Sequence, residues 1–229
     1  MRNSALVVLL LAASCTAFGS GGGSMQTDRN YGGSASRLGD GPSPDEQARN
    51  NYNAGVKIVE KADALDAAAA HETDAKKQAK ALSKSKDAYA AALKKFSKAV
   101  DAKSNMYEAW NYVGYTNRKL GNFDIALQAY DRALSLKPGY PEAIEYRGHA
   151  YLGLNRLSEA KEAYLTLYSG NRNLAAKLLA AMQEWVGTSH GSAGIDAATV
   201  DSFSAWVTER STIASKTVGL TREGATSAW

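Results

Sequence analysis

Apolar and small residues recur along most of this chain at intervals of three and four, the spacing that places them on one face of an α-helix. Ser43, Pro44, Asp45 and Glu46 open the first such stretch with a capping residue, a proline at the first helical position and an acid three residues after the serine. Tyr52, Val56, Val59 and Ala62 then share a face, with the small Gly55 among them. A second stretch carries Tyr89, Ala92, Phe96 and Ala99. Two shorter ones fill Tyr107 to Pro138: Trp110, Val113 and Gly114, then Phe123, Ala126, Tyr130 and Ala133, parted by a turn at Gly121. Later, Leu174, Leu178, Met182 and Trp185 make one stripe, and Val200, Phe203, Trp206, Val207 and Ile213 another. Alternating β-branched runs are scarce, so the predicted class is all-α.

These stretches repeat at an offset of 34 residues. Tyr89, Ala92, Phe96 and Ala99 reproduce Phe123, Ala126, Tyr130 and Ala133. Forward by the same step, Gly114 maps to Gly148, Leu120 to Leu154, Ala126 to Ala160 and Tyr130 to Tyr164. Asn155 takes the place of the turn glycine Gly121, and asparagine is the next-best residue for a left-handed turn. The closing Pro138 has Arg172 as its counterpart, which ends the array. Between the halves of the first unit lies extra chain, Asp63 to Lys86, rich in Ala and Lys. It is predicted to lengthen both helices into a projecting hairpin with its turn near His71 to Asp74. The stripe at Leu174–Trp185 is expected to cover the last unit, and the helix from about Asp196 to Ser215 to fold back onto it.

The spacing in Tyr107–Pro138, W-x2-V-G, then A-x3-Y, then P, resembles the tetratricopeptide repeat, with Asn117 standing where an aromatic is usual. The resemblance covers roughly residues 45 to 185 and implies a solenoid of about three helical hairpins, the first with an insertion, followed by two C-terminal helices. It further implies a scaffold or adaptor that binds another protein, with the first helices of the hairpins lining a concave groove. The groove positions carried over from the family are Glu108, Asn111, Tyr115 and Arg118 in the second unit, and Glu142, Glu145, His149 and Leu152 in the third. Arg49, Tyr52, Val56 and Val59 would add the first. The family's clamp for acidic C-terminal peptides is not expected, because Tyr52, Tyr112, Glu142 and Tyr146 occupy several of its positions.

The amino terminus changes the picture. Arg2 and the apolar run Ala5–Ala13 have the length and flanks of a signal peptide, too short to span a membrane. The only cysteine, Cys15, follows directly, and LAASC resembles the lipobox of bacterial lipoproteins, in which that cysteine is lipidated. Residues 1–18 are thus read as signal and lipobox, 19–44 as a flexible Gly/Ser linker, 45–215 as the helical domain and 216–229 as a mobile tail. The expected setting is the periplasm, with a lipid anchor on the outer membrane; soluble periplasmic or secreted protein is the alternative.

Charge and chemistry narrow the function. The chain carries a formal +4 with a pI near 9.0, which by itself names no partner. No H-E-x-x-H, C-x-x-C, phosphate-cradling glycine loop or G-x-S-x-G turn occurs, and His71, His149 and His190 are scattered. No enzyme, cofactor, metal or small-molecule substrate is expected. Lys76, Lys77, Lys80, Lys84 and Lys86 lack interleaved arginines and aromatics, so nucleic acid is not expected either. The expected function is a non-catalytic protein-binding scaffold of the bacterial envelope. Contact of the lysine-rich insertion with a membrane or polyanion, or a peptidoglycan-associated accessory role, are the alternatives.

Overall fold

The computed structural model describes residues 41–189 and 195–226, and among these every regular element is a helix. The order is α1 (Pro44–His71), α2 (Ala75–Ala102), α3 (Tyr107–Lys119), α4 (Phe123–Leu136), α5 (Pro141–Gly153), α6 (Leu157–Gly170), α7 (Arg172–Ser189) and α8 (Ala197–Thr226). Successive helices pack as hairpins, α1 with α2, α3 with α4 and α5 with α6, and α7 covers both helices of the third hairpin. The first 40 residues, with the signal, Cys15 and most of the linker, lie outside the described residues.

Local chemistry starts and stops these helices where the sequence indicates. Ser43 Oγ accepts the backbone N–H of Glu46 at 3.2 Å, and Pro44 occupies the first turn of α1. At the tip of the long hairpin, Asp74 caps α2 by accepting the N–H groups of Lys76 and Lys77 at 2.8 and 3.1 Å. The inserted chain therefore extends both helices to 28 residues each, with its turn at Glu72–Asp74. Further along, Gly121 (φ 84°) and Asn155 (φ 59°) both take the left-handed conformation at hairpin turns. The following N–H groups, of Asn122 and Arg156, return to the carbonyls of Asn117 and Tyr151, each at 2.9 Å.

The core is built by aromatic rings seated on glycines. A Cβ added to Gly55 would lie 2.6 Å from the Phe96 ring, and one added to Gly114 would lie 2.5 Å from the Tyr130 ring. These two contacts are 34-residue equivalents on the second helix, and they set how closely each pair of helices crosses. In the third hairpin the corresponding Gly148 is covered by Leu178 of α7, which is how the fourth-position helix leans on α5. Phe203 and Val207 of α8 enter the same core as Leu178 and Met182, so α8 does fold back onto α7.

One expectation needs correcting. The last helix does not end at Ser215 but continues to Thr226. Asn117, standing where the repeat family usually has an aromatic, is buried, donates to the Val113 carbonyl at 2.9 Å and accepts from the Asn122 side chain at 3.3 Å.

Candidate functional site

The first helices of successive hairpins lie side by side, and their shared face is lined by tyrosine. Tyr52 of α1 meets Tyr112 of α3 edge-on at 5.6 Å between centroids, and Tyr112 stacks on Phe96 at 4.8 Å. Tyr112 and Tyr115 are 6.1 Å apart, and Tyr115 reaches Tyr146 of α5 at 5.0 Å. All four tyrosines are half-buried. Arg118 lies over two of them, 5.1 Å from the Tyr115 centroid and 5.7 Å from that of Tyr146.

Carboxylates surround this row. Burial, then Tyr112 and Glu108, push the Tyr52 hydroxyl up to about 12. Burial, then Glu145 and Tyr112, push Tyr146 up to about 12 as well. Tyr112 is raised by burial and by Asp63, Glu60 and Glu142. Burial chiefly holds these tyrosines neutral, with nearby carboxylates adding to it and Arg118 opposing it at Tyr146.

Residues of the inserted segment reach the row from the side. Asp63 Oδ1 accepts from the Tyr115 hydroxyl at 2.6 Å and from the Tyr89 hydroxyl at 2.5 Å. One turn further, Asp66 accepts from Tyr89 at 2.9 Å and pairs with Lys119 at 2.5 Å. Sequence reasoning missed this network, and it read Tyr112 and Tyr146 only as residues that displace the family's peptide clamp. The available signal was the i, i+3 spacing of Asp63 and Asp66, continuing the face of Val59 and Ala62.

The eight groove positions carried over from the repeat family divide into two groups. Glu108, Tyr115, Arg118, Glu142 and His149 are half-exposed. Asn111, Glu145 and Leu152 are not surface residues, with 2%, 4% and 5% exposure. Leu152 is buried because it joins the apolar core of the last hairpins. Glu145 is held from below by His149 Nε2 at 2.7 Å. Asn111 lies beneath the face with its Oδ1 without a hydrogen-bond partner. Of the positions in the first hairpin, Arg49 is exposed, Tyr52 and Val56 are half-buried, and Val59 belongs to the core. At the far end, Arg118 and His149 share a cleft of about 210 Å³ with Leu152, Glu184, Trp185 and Thr188, so α7 supplies one wall.

With this geometry in view, the comparison with known families is decisive for the middle hairpin. The family model of the tetratricopeptide repeat matches residues 107–140. Residues 107–140 are a tetratricopeptide repeat. The match takes in α3, α4 and the turn through Tyr140, the unit that supplies Tyr112, Tyr115 and Arg118. Among curated proteins, an uncharacterized protein, ycf37, of Guillardia theta is 31% identical over 68 residues, which is 30% of this chain and 38% of that relative. The chain thus spans well under half of that protein's length. Among solved structures, a double mutant titled MamA RS-1 ArsTM covers 73% of this chain and 97% of its own at 19% identity, with a TM-score of 0.37.

Proposed function

We propose that the tyrosine-lined face of α1, α3 and α5 binds a segment of another protein, without turnover. A tetratricopeptide repeat suggests a protein-interaction role, and the observation that carries the reading to this face is the half-buried row Tyr52, Tyr112, Tyr115 and Tyr146. Tyrosine offers a large rigid ring with a polar tip, so it binds by contact area at small entropic cost and accepts hydrogen bonding at the rim. The surrounding Glu60, Glu108 and Glu142 favour a partner segment that carries lysine or arginine.

The setting proposed is the bacterial envelope, with the mature chain tethered through a lipid on Cys15. The support for it is the apolar run Ala5–Ala13, the LAASC segment and the Gly/Ser-rich stretch behind it. Cys15→Ala should move the protein from the membrane fraction to the soluble fraction of fractionated cells; an unchanged distribution would remove the anchor from this reading.

The face itself is tested by charge reversal. Glu108→Lys with Glu142→Lys, and separately Arg118→Ala, should each lower capture of the partner from envelope extract at least tenfold while leaving the helical circular dichroism signal intact. Capture equal to that of the unaltered chain would rule this face out.

A further inference from the structure

The second face of interest lies on the opposite side of the first hairpin. Helix α2 carries eight lysines against Asp87 and Asp101, more positive charge than the whole chain's net +4. At about 100° per residue, Lys76, Lys77, Lys80, Lys84, Lys94, Lys95 and Lys98 fall within one sector of roughly 100°. That sector is centred away from the core positions Tyr89, Ala92, Phe96 and Ala99. All of these lysines are exposed except Lys95, which is half-buried, and among the described residues none forms an ion pair. With a rise of about 1.5 Å per residue, the stripe is about 33 Å long and straight.

Apolar surface runs beside the charge. Ile58 of α1 and Ala91 and Leu93 of α2 line an open cleft of about 630 Å³ whose remaining lining includes Lys94, Lys95 and Lys98. No helix packs over this side of the first hairpin among the described residues.

We propose that the outer face of α2 docks on an anionic lipid bilayer. A straight lysine row fits a planar array of headgroup charges, and the flexible lysine stems let each ammonium follow the surface. The apolar cleft enters the headgroup boundary beside it, as the apolar side of an interfacial helix does. A polyanion such as nucleic acid or heparin would use the charge but leave Ile58 and Leu93 without a purpose. It would also be served better by arginines, of which α2 has none. Because no helix among the described residues is long and apolar enough to cross a membrane, this contact is peripheral. The row faces away from Tyr112 and Tyr115, so bilayer contact leaves the tyrosine face open.

The test is sedimentation of the full chain, carrying Cys15→Ser to prevent lipidation, with vesicles of phosphatidylcholine alone and of phosphatidylcholine with 30 mol% phosphatidylglycerol. Binding at least tenfold tighter to the anionic vesicles is expected, weakening as salt rises from about 50 to 300 mM. Lys76→Gln, Lys80→Gln, Lys94→Gln and Lys98→Gln together should remove that preference with helicity unchanged, and Ile58→Ser alone should weaken binding several-fold. Equal binding to both vesicle types, or a preference that survives the four substitutions, overturns the proposal. So does tight binding to heparin or single-stranded DNA with none to anionic vesicles, which would reassign the stripe to a soluble polyanion. The same variants should still capture the protein partner of the tyrosine face, so failure of one reading leaves the other measurable.

Discussion

Tyr115 donates a hydrogen bond across 2.6 Å to Asp63, a residue 52 positions earlier that lies in the inserted part of α1. The bond joins the regular middle hairpin to the part of the chain that breaks the repeat. Tyr89 donates to the same carboxylate oxygen, so one acid fixes the angle between α1, α2 and α3.

Asp63→Ala is therefore expected to be the most damaging polar substitution in the first half of the chain. It leaves the Tyr115 hydroxyl without its acceptor and Tyr89 with Asp66 alone, and should cost roughly 1–3 kcal/mol. Tyr115→Phe removes only one of the two bonds and should cost about 1 kcal/mol. Urea unfolding followed by circular dichroism measures both, and a double-mutant cycle that shows no coupling between Tyr115 and Asp63 would contradict the geometry.

Acid should loosen the same junction. Burial alone would raise the Asp66 carboxyl, but hydrogen bonding and charge attraction from Lys119, with further bonds from Ser85 and Tyr89, hold it below its ordinary value. A carboxyl depressed in the folded state stabilises fully above its unfolded value near 3.8, and that contribution is lost as pH falls through the lower folded value. The pair is partly open to solvent, so the effect is no more than about 1 kcal/mol. Asp66→Asn should flatten the change in urea midpoint between pH 5 and pH 2.5.

Alkali acts on the tyrosine row with the opposite sign. Tyr52 and Tyr146 are pushed up to about 12, chiefly by burial, whereas an unfolded tyrosine titrates near 10. Their neutral forms favour the folded state up to pH 10, and the advantage disappears as pH rises from there toward 12. Absorbance at 295 nm should show a class of tyrosines ionising late, together with loss of helical signal. A single ionisation near pH 10 with helicity retained would contradict the burial of this row.

The ring-on-glycine contacts give a packing test. Gly114→Ala gains about 1 kcal/mol of helix propensity but drives a methyl group into the Tyr130 ring. The Cβ would sit 2.5 Å from a fully buried side chain, so a net loss of about 1–3 kcal/mol is expected in thermal unfolding. Gly55→Ala should behave alike against Phe96, whereas Gly187→Ala, with open space around it, should not destabilise.

The hairpin order and the seated rings were legible because the ring positions Phe96 and Tyr130 recur at 34 residues, while the insertion shifts only the glycine of the first pair. Gly55 with Phe96 and Gly114 with Tyr130 are the same pair written twice. The turn at Glu72–Asp74 was legible because Asp is a capping residue between two apolar patterns. The depth of the groove positions was not. Position within a repeat tells which face Asn111 and Glu145 occupy, but their burial depends on how far the neighbouring long side chains lie across them. The Asp63 bond was equally hidden, since the insertion has no counterpart in the other hairpins from which its register could be read. The continuation of α8 to Thr226 left no trace in apolar spacing, because that segment has too few apolar residues to mark a face.

The placement of α7 has a consequence for what the tyrosine face can accept. By leaning Leu178 onto Gly148 and walling the cleft at Arg118 and His149, α7 closes one end of the row, while the long α1 bounds the other. Four helices at about 8–10 Å spacing give a span of about 24–30 Å. An extended strand advances about 3.3 Å per residue, so about eight residues fill the span. If the tyrosine face takes an extended segment as proposed, about eight residues of that segment would lie between the two boundary helices.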